Sequence, residues 1–288
     1  MMDRASGLPL LSGRDPADRR RIAELEEMAV AMAVGDFEER HGDMEFAPVV
    51  ALLASYLEAK NIGSVLEKMP FEACGLAVST LVVIDGGDDG TEEIAAAHGA
   101  SWVKLPVNMG QGVALKVGYD LALARGARFV VTIDADGQND PGELPDLLAA
   151  LVEDRADFVV ASRVLGVDET SDRVRRVGVR VFAAVINFLI AKHLTDTSNG
   201  YRALRSEVLR SVSLEQSQYQ TAELIISAAA RGFGIVECPT VWHPRTSGFS
   251  KKGRNLTFAL NYARVIAATA WRERRGLVSL RRAGRYAG

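Results

Sequence analysis

From about residue 48 onward, short apolar runs alternate with longer stretches in which apolar residues recur every three or four positions. The runs span 49–55, 80–84, 101–105, 128–133 and 157–161. They are apolar at consecutive positions, as strands buried on both faces require. The stretches between them, 59–68, 91–98, 112–125 and 144–153, have helical spacing. Strands alternating with helices predict an α/β fold with a mainly parallel, Rossmann-like sheet flanked by helices. Ligands bind such sheets beyond the carboxyl ends of the strands, so the turns there are where chemistry is expected.

The pattern differs at both ends. Residues 1–46 read as a helical extension, with Ile22, Leu25, Met28, Ala29 and Met32 at helical spacing in 16–34. It would pack on the body or on a second subunit, as in a homo-oligomer. The segment 47–246 reads as the main domain. Its second half is looser: a helix at 172–190, a polar turn at 195–200, a helix at 221–231 and two short strands about Ile235 and Val241. The remainder, 247–288, reads as a basic loop, a helix at 255–271 and a tail. The apolar stretch 181–191 is bounded by Arg180 and Lys192 and is too short to span a bilayer.

Composition excludes several classes of protein. Of the 288 residues 48% are hydrophobic and 25% charged, so a large core forms without staples. The two cysteines, Cys74 and Cys238, fit neither a disulfide framework nor a thiolate metal site and suggest a reducing, cytoplasmic setting. The first twenty-one residues carry charges and no apolar core, unlike a secretory signal. Net charge is −3, but residues 251–288 hold ten Lys or Arg against the single acid Glu273, a net of +9 that leaves −12 elsewhere. A basic end on an acidic body points to an anionic acceptor or to peripheral contact with the inner face of a membrane. A nucleic-acid partner is not expected.

The turn after the run 128–133 carries Asp134-Ala135-Asp136-Gly137-Gln138. Two carboxylates one residue apart at a strand end can hold a hard divalent cation against a diphosphate, or simply cap the next helix. Asp85-Gly86-Gly87-Asp88-Asp89-Gly90-Thr91 follows the run 80–84. It can accept hydrogen bonds from a ribose or base, or serve as a turn with Thr91 capping a helix. Asn108-Met109-Gly110-Gln111-Gly112 opens the helix at 112–125 and either presents amides to phosphate or is a plain helix start. The first strand-to-helix turn lacks G-x-G-x-x-G, which disfavours a nicotinamide-dependent oxidoreductase.

Taken in order, these words resemble family-2 glycosyltransferases of the GT-A (nucleotide-diphospho-sugar transferase) fold, in the branch of dolichyl-phosphate mannose synthase and bacterial polyprenyl-phosphate glycosyltransferases. The family's Pro-Ala-Tyr-Asn-Glu is similar to Ala54-Ser55-Tyr56-Leu57-Glu58, and its Asp-Asp-Gly-Ser-x-Asp-Gly-Thr to residues 84–91. Its Asn-x-Gly-Lys-Gly-x-Ala resembles residues 108–114, and Asp-Ala-Asp-x-Gln matches residues 134–138. Ser162-Arg163, Thr197-Ser198-Asn199-Gly200-Tyr201-Arg202 and Pro244 to Lys251 follow in family order, over about residues 48–270. Ala54, Leu57, Ile84 and Gln111 stand where the family usually has Pro, Asn, a first Asp and Lys. These departures fall in the donor-binding region.

The resemblance implies a metal-dependent, inverting transfer of a sugar from an NDP-sugar. Tyr56, Glu58, Asp85 and Gln111 would contact the donor, while Asp134, Asp136, Gln138 and His243 would surround Mg2+ or Mn2+. Asp136 and Arg202 would take part in the chemistry. Arg163, Arg175, Arg176, Arg202, Arg245 and Lys251 are the candidates for holding phosphate. A polyprenyl phosphate acceptor arrives ionised, whereas a hydroxyl acceptor needs a base, for which Glu223 and Asp196 are the choices. The loop 247–253 would close over the donor. Two alternatives stay open: a soluble saccharide or small-metabolite acceptor, and a donor-binding scaffold without turnover.

Overall fold

The computed structural model describes residues 16–170, 173–245 and 255–285. Its strands are β1 (Val49–Ser55), β2 (Glu72–Ala73), β3 (Leu76–Ile84), β4 (Ser101–Lys104), β5 (Phe129–Asp134), β6 (Phe158–Asp168), β7 (Arg202–Arg205) and β8 (Ile235–Trp242). They form one sheet in the order β2-β3-β1-β5-β7-β6-β8, with β4 paired to β3. The β1–β3, β1–β5, β3–β4 and β6–β8 pairs are parallel, whereas β7 runs antiparallel to both β5 and β6.

Helices cover both faces: α1 (Pro16–His41), α2 (Ala59–Glu67), α3 (Thr91–Ala97), α4 (Gln111–Ala124), α5 (Leu144–Val152), α6 (Arg173–Ile190), α7 (Ser206–Ser211), α8 (Gln220–Ala230), α9 (Asn255–Arg272) and α10 (Arg274–Arg285). Successive strand residues point to opposite faces, which divides the core in two. Val50, Leu52, Leu81 and Val83 pack with α4 and α8 residues, while Val49, Ala51, Leu53, Val82 and Ile84 pack with residues of α2 and α5. This is why the runs are apolar without alternation.

Register brings the functional turns together. Ala54 pairs with Asp134, and Ser55 with Ile84, so the turns after β1, β3 and β5 leave the sheet side by side. Because β7 is antiparallel, its first residue, Arg202, lies opposite Thr132 and Val160 at the same edge. The polar turn before β7 is thereby delivered to the ends of β5 and β6.

Three elements differ from the sequence pattern. The four-residue β7 was not expected, since arginines at both ends of Arg202-Ala203-Leu204-Arg205 hide a strand whose first three residues are buried. The two short strands expected about Ile235 and Val241 are one continuous β8. The tail contains α10, whose Leu277 is buried against the body.

The N-terminal helix continues past residue 34 to His41, and its last turns are bound to the body. Phe37 is fully buried against Phe46 and His41, and the Arg125 guanidinium lies 5.0 Å over its ring. Arg125 also donates to the carbonyls of Gly42 and Met44, both at 2.7 Å. Arg40 stacks 3.6 Å over Trp102 and donates to its carbonyl at 3.0 Å. Phe37→Ala is expected to cost about 3 kcal/mol in urea unfolding. A loss below about 1 kcal/mol would show that α1 is not part of the core.

Candidate active site

At the end of β5, Asp134 lines a cleft whose other walls come from α4, β7 and the start of α8, and Asp136 follows on the same turn. Asp134 lies in a pocket with Ala54, Gln111, Arg202, Tyr219 and Thr221. Gln111 donates through Nε2 to Asp134 Oδ1 at 3.0 Å. Gly200 faces the same carboxylate so closely that a Cβ there would lie 2.6 Å from Oδ2 and 2.7 Å from Oδ1. A residue without a side chain is therefore required for Asp134 to hold this position. Arg202, buried in the pocket wall, donates to the Asn199 carbonyl at 2.7 Å and to the Thr221 hydroxyl.

Asp136, two residues further along the turn, has partners of its own. Its Oδ1 accepts from the Gln138 amide at 3.1 Å, and Arg245 Nη2 approaches Oδ2 at 2.9 Å. The same guanidinium reaches Glu58 Oε1 at 3.2 Å, while Glu58 Oε2 accepts from Asn61 at 2.6 Å. Burial, and then the neighbouring charge of Asp134, push the Asp136 carboxyl above its ordinary range; Arg245 and the Gln138 amide offset part of that rise. Two like charges are thus held together in a poorly solvated turn, an arrangement that favours a cation.

The donor-side residues sit next to this pair. The Tyr56 ring lies against Gly87, where a Cβ would be 3.8 Å from Cε2. Asp85 accepts from the amides of Met109 at 2.7 Å and Gly110 at 2.9 Å, which uses two of the lone-pair positions of its carboxylate. The amide of Gly112 goes to the Ser217 carbonyl at 2.8 Å. The glycine turn therefore spends these three amides within the protein rather than on phosphate, which decides for the helix-start reading. Its glycines are needed for close packing: a Cβ on Gly110 or Gly112 would come within 2.6 Å of Ser217 O or 2.1 Å of Gln216 O. Of the four departures, Ile84 is a core residue at the end of β3, and Leu57 takes a left-handed φ of 53° beside Gly87.

Gln138 meets the backbone of His243 through both its carbonyl and its side-chain amide. The His243 amide donates to the Gln138 carbonyl at 2.8 Å, and Gln138 Nε2 returns to the His243 carbonyl at 3.2 Å. The imidazole Nδ1 is 2.8 Å from Glu169 Oε2, which makes it a tethered strand-end histidine. Among the described residues no group of three or more His, Cys, Asp or Glu could hold a metal alone. Asp134 and Asp136 are the oxygen ligands on offer, a donor set that suits Mg2+ or Mn2+ if substrate oxygens and water complete the shell.

Neither carboxylate considered as a base lies free in the cleft. Glu223 is fully buried, accepts from the amides of Glu215 and Gln216 at 2.9 and 3.0 Å, and pairs with Arg272 at 2.8 Å. It fastens α9 to the loop that packs on Gly110 and Gly112, so the expectation of a catalytic base there is corrected to an anchor. Asp196 is also fully buried and pairs with Arg163 Nε at 2.5 Å. Arg163 donates to Ser198 at 3.1 Å and stacks 4.2 Å over the core residue Trp242.

Arg163 also borders a second pocket, with Val164, Asp168, Arg176, Val179 and Arg180. Arg180 was not expected there; its spacing of four from Arg176 was the available signal. Lys251 and the loop 247–253 lie outside the described residues, as does the side chain of Arg175.

The description "Glycosyl transferase family 2" matches residues 54–213. The dolichyl-phosphate hexose transferase of Haloferax volcanii is 34% identical over 200 residues, covering 69% of this chain and 85% of that protein. The polyprenol monophosphomannose synthase of Mycolicibacterium smegmatis is 31% identical over 224 residues, covering 73% and 83%. Among solved structures, glucosyl-3-phosphoglycerate synthase from Mycobacterium tuberculosis, in complex with Mn2+, UDP and phosphoglyceric acid, superposes with a TM-score of 0.62. At 22% identity over 83% of this chain and 82% of that one, it shows a shared GT-A fold. The chain belongs to the family-2 glycosyltransferases. It is an enzyme of sugar transfer.

Burial pushes the Asp85 carboxyl up to about 6, in spite of its two amide donors. Between about pH 4 and 6 the folded protein therefore keeps a proton that the unfolded chain releases. The contribution of this group to stability is full below pH 4, falls as pH rises, and is gone above about 6. The total is roughly 3 kcal/mol. Asp85→Asn removes that slope, so the wild-type-minus-variant difference in unfolding free energy should shift towards the wild type by about that amount between pH 7 and 4. A flat difference would show that Asp85 is ionised at little cost where it lies.

Proposed function

We propose that this enzyme transfers a hexose from an NDP-sugar to a polyprenyl phosphate with inversion, using Mg2+ or Mn2+. The observation that carries the acceptor class is the pocket walled by Arg163, Arg176 and Arg180, which the Arg163–Ser198 hydrogen bond joins to the Asp134 pocket. Arg163 is neutralised by Asp196, whereas Arg176 and Arg180 make no ion pair among the described residues. With the carboxylate of Asp168 also in the wall, the two arginines leave the pocket a net positive charge for an acceptor phosphate. A phosphate oxygen is already ionised and needs no base, which agrees with Glu223 and Asp196 both being committed to other partners.

Asp134 and Asp136 would hold the cation, which supplies charge neutralisation to the departing nucleoside diphosphate. Gln111 fixes Asp134 with a neutral amide, so the negative charge of that carboxylate stays available to the cation. Arg245 lies between Glu58 and Asp136 and can turn to the diphosphate as it binds, keeping its charge compensated in either position. Arg202 places a buried positive charge in the wall beside Asp134, where charge develops on the leaving group. The acceptor oxygen attacks the anomeric carbon from the face opposite the diphosphate.

No helix among the described residues is long and apolar enough to cross a membrane. The acceptor would be reached from the membrane surface, with the basic C-terminal segment as one contact. The decisive assay offers UDP-, GDP- and dTDP-sugars with Mn2+ to the enzyme, using a short, water-soluble isoprenyl phosphate or a neutral saccharide as acceptor. Transfer to the phosphate is expected, with at least a ~100-fold loss in Asp136→Asn. Arg176→Ala with Arg180→Ala should raise KM for the phosphate by about tenfold or more while the slow donor hydrolysis persists. Equal transfer to the saccharide, insensitive to the arginines, would favour a soluble acceptor. Donor binding without release of nucleoside diphosphate would favour a scaffold.

A further inference from the structure

Helix α6 buries one face and exposes another that is just as apolar. Val179, Ala183, Ile186 and Ile190 pack inward. Val177, Val181 and Val185, four residues apart, are 59%, 54% and 45% exposed, and the line continues to Phe188. A helix face turned to water is normally polar. Valine is also a poor helix former, so propensity does not account for three of them in line.

The acceptor pocket lies alongside the first turns of this line. Arg176 and Arg180, one turn apart on the same helix, border that pocket together with the half-exposed Val164. α10, from the basic end of the chain, packs against α6. Beside it, Trp271 is exposed and carries the Arg274 guanidinium 4.7 Å over its ring. An apolar line flanked by cations matches the layering of an anionic membrane surface, where acyl chains lie beneath negative headgroups.

We infer that α6 is the surface by which the enzyme sits on an anionic bilayer, its valines entering the boundary between headgroups and acyl chains and the arginine pocket opening towards the lipid. This rests on the polyprenyl-phosphate reading only for the purpose it assigns to the contact.

The test compares the full chain with the double variant Val181→Asn, Val185→Asn, both at exposed positions. Flotation uses phosphatidylcholine vesicles with and without phosphatidylglycerol. The wild type should float with the phosphatidylglycerol vesicles, and the variant should bind at least about tenfold more weakly at an unchanged melting temperature. Transfer to a long-chain polyprenyl phosphate in those vesicles should fall with binding, while transfer to a short soluble isoprenyl phosphate is unchanged. Val181→Leu with Val185→Leu should retain both. Equal flotation of wild type and asparagine variant, or no flotation of the wild type, overturns the inference. So does a wild-type dimer that the asparagine variant dissolves, since a second copy then covers the face. Valine-dependent flotation without any use of isoprenyl phosphate supports the docking surface and rejects the acceptor reading instead.

Discussion

The site depends on keeping two carboxylates together at the end of a central strand, one of them largely withdrawn from water. Asp134 and Asp136 repel each other at the end of a central strand, and the surroundings are arranged to tolerate this only in part. Gln111 gives Asp134 a neutral donor, Arg245 shares its charge between Asp136 and Glu58, and Gly200 leaves Asp134 the space it occupies. Burial and like charge raise the Asp136 carboxyl. A divalent cation bound by both carboxylates would relieve the same strain that the fold maintains.

Maintaining that strain requires the sheet to be assembled in a particular way. The parallel strands β1, β3 and β5 end in register, and β7 is inserted antiparallel so that residues 199–202 enter at the same edge. Glu237 accepts from the amides of Thr195 and Asp196, and Asp196 in turn holds Arg163. Glu223 ties α9 to the loop that packs on the glycines of α4. Several buried charges near the cleft are therefore committed to holding one another. The proposed transfer would use the groups that are not so committed: the carboxylate pair, Arg245, Arg202 and the two arginines of α6.

Strands buried on both faces and the turns at their ends were legible in the sequence, because both rest on local pattern. So was the carboxylate pair, once its position after an apolar run was noted. β7 was not, since four residues bounded by arginines carry no periodicity. The role of Glu223 was hidden too: its partners lie on the 215–216 loop and on α9, and only the tertiary fold brings Arg272 to it. The glycine turn at 110–112 could equally have bound phosphate, and its amides were assigned only when their acceptors, Asp85 and Ser217, were seen. Arg180 was passed over because it marked only the boundary of the apolar stretch 181–191, which supplies both the buried and the exposed side of α6.

The central claim is that Asp134 and Asp136 together bind the catalytic cation, and Gly200→Ala tests it with a single methyl group. Gly200 does not have a positive φ, so the substitution adds no backbone strain, yet its Cβ would press on the Asp134 carboxylate. Mn2+ binding, followed by electron paramagnetic resonance in the presence of a nucleoside diphosphate, should weaken at least about tenfold, with unfolding free energy changed by no more than about 2 kcal/mol. Unchanged Mn2+ affinity in a folded Gly200→Ala protein would contradict the account.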